Sequence, residues 1–317
     1  MSFNYKSGLA IARVNGGIDD GKIIYVGTGR PYDQEEVKKT LADVTEYLKK
    51  NSIVLSESDM KELCLHVSMK TDRGITSPLL SKLYSGVIAA RSNRDLGPMV
   101  EIIDNQSKLS MLPRIIEGQT DILYLAAPQG SGKSRFTNNY MLEYKKLFPE
   151  NQIYFFTSKD VEDKEITAPI LRAIIDDSLI TNPFNIADMP NSLFVFDDVD
   201  EDAMANKKHA KAIHTLILDI IKNGRKLGIR AVICRHVGLE GPKTKALFVE
   251  ATHMVLFPFS SGSFAQNSRI LEKYLGYGKK AIKQILSMPT RWAVVSRQEP
   301  QYIITENLII MKSEIDK

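Results

Sequence analysis

The sequence predicts an α/β protein: a mainly parallel sheet flanked by helices, with a smaller α+β module ahead of it. Three observations predict it. Short apolar runs recur at residues 122–126, 152–157, 193–196, 230–235, 254–257 and 292–296. Helical patterns separate most of these runs. The clearest is Ile213, Leu216, Ile217, Ile220 and Ile221, with Gly224 after it as the expected helix stop. The first run also passes through a glycine-rich loop into an amphipathic segment, "DILYLAAPQGSGKSRF" at residues 121–136. Strands without polar alternation are buried on both faces, and helices between them imply parallel crossovers.

The chain is long enough for one large domain or two, and the change in pattern divides it into 1–115 and 116–317. In the first part, "GLAIARV" and "KIIYVG" read as strands around a turn at "NGGIDDG". "DQEEVKKTLADVTEYLKKN" is a helix whose acids start it and whose lysines end it, as the helix dipole favours. "SESDMKELCLHV" opens on a serine cap, and "SPLLSKLYSGVIAARS" is a further helix. No catalytic constellation appears here, so the expected role is accessory. In the second part Phe136, Tyr140, Met141, Tyr144 and Leu147 recur at helical spacing and are expected to pack on the sheet.

Composition sets outer limits. Charged residues at 25% and hydrophobic ones at 43% are ordinary for a soluble globular chain. A net charge of +4 permits nucleic-acid contact without demanding it. Two distant cysteines, Cys64 and Cys234, exclude a disulfide framework and point to a reducing compartment. No apolar run reaches the ~18 residues of a membrane span, and the N-terminus has no secretory pattern.

The glycine-rich loop carries the first chemistry. It follows the phosphate-binding pattern G-x-x-x-x-G-K-[ST], except that Ala127 stands at the first glycine. The groups that hold a triphosphate are backbone N–H donors, a lysine and a hydroxyl. The loop Ala127, Pro128, Gln129, Gly130, Ser131, Gly132 supplies the cradle, Lys133 reaches the β- and γ-phosphates, and Ser134 is a magnesium ligand. Ala127 lacks glycine's freedom, so its φ is expected to be negative.

"NSLFVFDDVDED" carries the second. An apolar strand ends in two acids. The first, Asp197, is placed to hold Mg²⁺, and the second, Asp198, to deprotonate an attacking water. The third stretch is "NGRKLGIRAVICRHV". His236, at a strand tip, is the candidate sensor of the γ-phosphate or the attacking water. Arg225 is the candidate arginine finger, reaching a neighbouring subunit's nucleotide.

The order of these pieces, over about residues 119 to 305, resembles the DNA-packaging ATPases of large DNA viruses, the poxvirus-type members of the FtsK–HerA superfamily. The resemblance rests on the P-loop, "FFTSKDVED", "FVFDDVD", "NGRKLGIRAVICRH", "THMVLFPF" and "LGYGKKAIKQILSMPTRWAVVS". Lys226 stands where the family often has histidine, and Ala127 is the other departure. The resemblance implies a P-loop NTPase core of RecA/ASCE-like type and an ATP- and Mg²⁺-dependent motor. It further implies a homo-oligomeric ring that moves double-stranded DNA into a capsid, a capsid or portal partner, and a place in the host cytoplasm or virus factory and in the virion. The basic segment Lys207, Lys208, Lys211, Lys222, Arg225, Lys226 and Arg230, with a smaller cluster at Lys279, Lys280 and Lys283, suits sequence-independent phosphate contact. Two alternatives stay open: a P-loop phosphotransferase acting on a nucleoside or other small molecule, and a nucleotide-gated virion assembly protein.

Overall fold

Strand by strand, alternate residues point into two different cores, and that alternation organises the molecule. A computed structural model of the chain describes residues 3–6, 8–27, 34–69, 74–92, 99–102, 104, 106–115, 118–158, 163–199, 206–236, 247–259 and 263–315. In chain order its first strands and helices are β1 (Phe3–Asn4), β2 (Leu9–Asn15), β3 (Ile23–Val26), α1 (Gln34–Lys50), α2 (Glu57–Met69), α3 (Pro78–Ser92), β4 (Met99–Glu101) and β5 (Lys108–Met111). There follow β6 (Ile122–Ala126), α4 (Lys133–Leu147), β7 (Ile153–Thr157), β8 (Leu171–Ile174), α5 (Ser178–Thr181), β9 (Leu193–Asp197), α6 (Lys207–Asn223) and β10 (Arg230–Arg235). The last group is β11 (His253–Leu256), α7 (Ser263–Lys273), α8 (Lys279–Leu286), β12 (Ala293–Ser296), β13 (Tyr302–Thr305), β14 (Leu308–Met311) and α9 (Lys312–Ile315).

The large sheet has ten strands in the order β4-β14-β13-β12-β11-β6-β10-β9-β7-β8. From β8 to β11 every pairing is parallel, as expected. From β11 to β4 every pairing is antiparallel, so the sheet continues as a meander that the sequence reading did not predict. Of its strands, β12 and β13 are four-residue runs buried on both faces, which gives them no period-2 signal, and β4 has only three residues.

One face of the sheet, carrying Tyr124, Phe194, Phe196 and Ile233, packs on α6 through Ile213, Leu216, Ile217, Ile220 and Ile221. The other face, carrying Leu123, Leu125, Val195 and Val232, packs on α4 through Phe136, Tyr140, Met141 and Tyr144. That second core continues into the four-stranded sheet β1-β3-β2-β5 through Ile11, Val14, Ile24, Leu109 and Met111. Packing therefore crosses residue 115, and β4 joins the large sheet from the N-terminal side. Helices α1 to α3 form a small core of their own around Val44, Leu63, Leu83 and Val87. Ser56 caps α2 as expected, its Oγ accepting from the Asp59 N–H at 3.1 Å.

α6 ends at Asn223, directly before Gly224, as expected. Gly224 itself keeps helical dihedrals, φ −58° and ψ −34°, and a 3₁₀ turn, Gly224–Leu227, runs on to Gly228, left-handed at φ 70°. One local expectation is corrected. Arg230 is not part of a basic surface. It is only 7% exposed, donates to the Arg114 carbonyl at 2.8 Å and lies 4.5 Å over the Phe148 ring.

Candidate active site

The parallel strands β6, β9 and β10 end side by side, and their C-terminal tips form the site. Parallel registers set it: Arg235 pairs with Ala126, and Ile233 with Phe196. The N–H of Ala127 donates to the Arg235 carbonyl at 3.1 Å, which carries the β6 pairing one residue into the loop. Ala127 is fully buried and is not among the positive-φ residues, so an alanine fits there without strain. The turn is made further on. Gly130 and Gly132 have φ of 77° and 100°, and space is open where each Cβ would be. Ser131 Oγ donates to the Pro128 carbonyl at 2.7 Å and braces the loop between them. Pro128, Gln129 and Gly130 are exposed, so the cradle faces outward.

Lys133 opens α4 and is only 7% exposed. Its Nζ donates to the Ala127 carbonyl at 2.5 Å and to the Pro128 carbonyl at 3.3 Å, and lies 3.4 Å from His236 Nδ1. An ammonium with so little water access, held by neutral acceptors, gains by exchanging them for phosphate oxygens. His236 Nε2 lies 3.0 Å from Asp198 Oδ1. The Nε2–carboxylate approach is a close contact without hydrogen-bond geometry, while Nδ1 faces the Lys133 ammonium.

Asp197 has the phase of Leu193 and Val195, so it is aimed at the α4 side of the sheet. It is 7% exposed. The Cys234 thiol on the neighbouring strand is pushed up by burial and by the nearby Asp197 charge. Asp198 follows with φ 53°, a left-handed backbone that non-glycine residues seldom adopt. Such strain is characteristic of functional sites, and here it turns Asp198 towards His236.

Ser134, in the first turn of α4, and Asp197, at the end of β9, are the oxygen donors expected to serve a cation. Among the described residues no cluster of three or more His, Cys, Asp or Glu forms a self-sufficient metal cage. This donor set fits magnesium, which uses one or two protein oxygens and completes its shell with substrate phosphates and water.

Arg225 is not brought to this site. It is exposed in the 3₁₀ turn ahead of β10, on the opposite edge of the sheet. A strand of this length puts it roughly 20 Å from the loop of its own chain. Lys222 and Lys226 are exposed beside it, and Lys207, Lys208 and Lys211 are exposed at the other end of α6. Residues 159–162 and 200–205, within the "FFTSKDVED" and "NSLFVFDDVDED" regions, lie outside the described residues.

Sequence reading missed a buried polar network at the N-terminal ends of the strands. Asp121 Oδ2 accepts from the Arg114 N–H at 2.7 Å and from Tyr140 Oη at 3.1 Å. The Arg114 guanidinium also reaches Ser296 Oγ at 2.9 Å and the Gln298 side chain. His253, fully buried, lies 3.6 Å from Asp121 Oδ1, yet burial and the Arg114 charge push its pKa well below the ordinary 6.5. We therefore read it as neutral rather than as half of an ion pair. The only signal in the sequence was an acid directly before an apolar strand.

No protein-family model matches the chain. The uncharacterized protein V3 of Sputnik virophage is 30% identical over 190 residues, covering 59% of this chain and 75% of that protein. Among solved structures, the chain is similar to B204, the DNA-packaging ATPase from Sulfolobus Turreted Icosahedral Virus. The TM-score is 0.42 at 12% identity, over 59% of this chain and 97% of that one. It is also similar to the pCW3 conjugation coupling protein TcpA, with a TM-score of 0.41 at 11% identity over 66% of each chain.

Proposed function

This chain belongs to the family of the Sputnik virophage protein V3, and from that premise and the geometry above we propose that it is an ATPase that drives double-stranded viral DNA into a capsid. The observation that carries the reading is the Lys133–His236–Asp198 chain of contacts at the tips of β6, β10 and β9. It joins a phosphate-binding lysine to a carboxylate suited to water activation.

In this reading the loop N–H groups of 130–134 hold the β-phosphate, and Lys133 leaves its carbonyl partners for the β- and γ-phosphates. Ser134 and Asp197 would hold Mg²⁺, which supplies neutralising charge on the phosphate oxygens when bound. Asp198 takes the proton of the attacking water, and His236 holds its carboxylate in place. Departure of Lys133 to the nucleotide frees His236 Nδ1, so the imidazole registers whether a γ-phosphate is present. Residues 1–115 act as an accessory module. Exposed Lys207, Lys208, Lys211 and Lys222 contribute charge for the DNA backbone. A ring, a capsid or portal partner, and a place in the virus factory or virion belong to the same reading.

The deciding experiment is hydrolysis of ATP by the purified protein with and without duplex DNA. The reading expects DNA to raise the rate, less so as salt increases. Stimulation by a small phosphoryl acceptor instead of DNA would assign the chain to the phosphotransferases. Nucleotide binding without turnover would favour an assembly role.

A further inference from the structure

Past Gly132 and Arg135, in the first turn of α4, the phosphate loop opens into a cleft of about 320 Å³. Its other walls come from two distant parts of the chain: Arg291 and Trp292 just before β12, and Lys108 and Ser110 on β5 of the N-terminal sheet. We propose that this cleft takes the base and ribose of the nucleotide, so that the N-terminal sheet forms one wall of the nucleotide site. The proposal rests on the P-loop reading and extends it to a part of the chain that carried no assigned role.

Topology puts the cleft on the correct edge. Strand β12 enters antiparallel to β11, with Ala293 opposite Leu256 and also opposite Thr305 of β13. The start of β12 and the turn at Glu306 therefore lie at the same edge as the loop. With Lys133 on the β- and γ-phosphates, the α-phosphate falls at the first turn of α4. The sugar must then leave beside Arg135. The cleft volume lies at the lower end of the roughly 300–1,000 Å³ typical of small-ligand pockets.

Its lining suits a flat heteroaromatic base. Trp292 is held edge-on against Phe136 at 5.1 Å between centroids. Arg135 and Arg291 are exposed, and guanidinium planes stack on aromatic rings. Ser110 brings a hydroxyl of the kind that pairs with ribose.

The walls are also tied together. Glu306 accepts from the Arg291 N–H at 3.1 Å through its carboxylate, and from the Leu109 N–H at 2.7 Å through its carbonyl. Asn15 donates to Ser110 Oγ at 2.8 Å. Arg13 on β2 pairs with Glu143 of α4 at 2.8 Å, the glutamate being only 3% exposed. The N-terminal sheet is thus fastened to both the P-loop helix and the β13–β14 turn.

Trp292 is the one tryptophan of the chain, which makes the test direct. Full-length protein is titrated with magnesium ATP and with magnesium tripolyphosphate, following emission and calorimetric affinity. Both compounds should bind and compete. ATP should alter the tryptophan emission and tripolyphosphate should not. ATP should also bind at least about tenfold tighter, the order that stacking of one base contributes. Ser110→Tyr, which narrows the cleft from the N-terminal side, should weaken ATP by about the same factor and leave tripolyphosphate unchanged.

Equal affinity with no ATP-specific emission change would overturn the cleft proposal and leave the P-loop intact, and so would a Ser110→Tyr protein weakened equally for both. If Ser110→Tyr fails to fold, the wild-type comparison of the two compounds still decides. Failure of the wild-type protein to bind either compound would overturn the P-loop reading itself.

Discussion

His236 stands between two charged partners, with Nε2 3.0 Å from Asp198 Oδ1 and Nδ1 3.4 Å from Lys133 Nζ. In the proposed mechanism Asp198 is the group that activates the attacking water. Asp198→Asn is expected to bind magnesium ATP with near wild-type affinity and to lose about 10²- to 10⁴-fold in kcat, the usual worth of a general base. Single-turnover hydrolysis beside equilibrium binding separates the two effects. Turnover at the wild-type rate would remove Asp198 from the chemistry.

Lys133→Ala removes the ammonium that now rests on the Ala127 and Pro128 carbonyls. Affinity for the triphosphate and hydrolysis should both collapse, while the fold is kept. Circular dichroism and thermal unfolding check the fold, and phosphate release checks the rate. Substantial ATPase activity in this protein would mean that the loop is not the site.

How much of this was legible depends on whether the signal was local. The loop, the strand ending in Asp197 and Asp198, and the buried stripe of α6 are each continuous in sequence and were readable. His236 could be named, but its pairing with Lys133 and Asp198 could not, because one opens α4 and the other follows β9. The strand β13, with all four residues buried, gives no alternation to read. Arg230 looked like one more surface cation, and only the packing of Phe148 and Arg114 around it shows otherwise. The cleft was beyond sequence reading, since its walls lie near residues 110, 135 and 292.

His253 should give the protein a specific acid sensitivity. Burial, helped by the Arg114 charge, holds its pKa well below 6.5. As pH falls below 6.5 the unfolded chain binds a proton at this position and the folded chain does not, so stability falls with pH. The limiting slope is about 1.4 kcal/mol per pH unit. Asp121, raised by burial, works in the opposite sense above its ordinary 3.8, where folded protein keeps a proton that unfolded chain has lost. Comparison of wild type with His253→Asn isolates the histidine. Denaturant melts between pH 5 and 7.5 should show a shallower loss for the variant, and identical slopes would refute the assignment.

The Arg114–Asp121 pair is almost wholly excluded from water, at 1% and 0% side-chain exposure. Asp121→Ala leaves the guanidinium buried without its carboxylate and removes the acceptor of Tyr140. Breaking a buried pair on one side costs about 3–5 kcal/mol. Tyr140→Phe removes one hydrogen bond and should cost about 1 kcal/mol. Urea unfolding measures both, and an Asp121→Ala protein within about 1 kcal/mol of wild type would show that water or rearrangement replaces the carboxylate.

Arg225 lies on the far edge of the sheet from the loop, exposed in the turn before β10. A side chain there cannot reach its own nucleotide across roughly 20 Å of strand. If it has a catalytic role, that role is in a neighbour's site. Arginine supplied in trans is worth on the order of 10³-fold or more in rate. Specific activity should therefore rise with protein concentration as subunits assemble, and Arg225→Ala should bind ATP while barely hydrolysing it. Mixing is the sharper measurement. Arg225→Ala subunits keep Asp198, and Asp198→Asn subunits keep Arg225. A mixed assembly therefore contains boundaries where an intact carboxylate faces an intact arginine. Activity should partly return on mixing two proteins that are each inactive. Silence in assemblies shown by mass to be mixed, or full activity in a dilute monomer, would return Arg225 to the exposed basic surface it shares with Lys222 and Lys226.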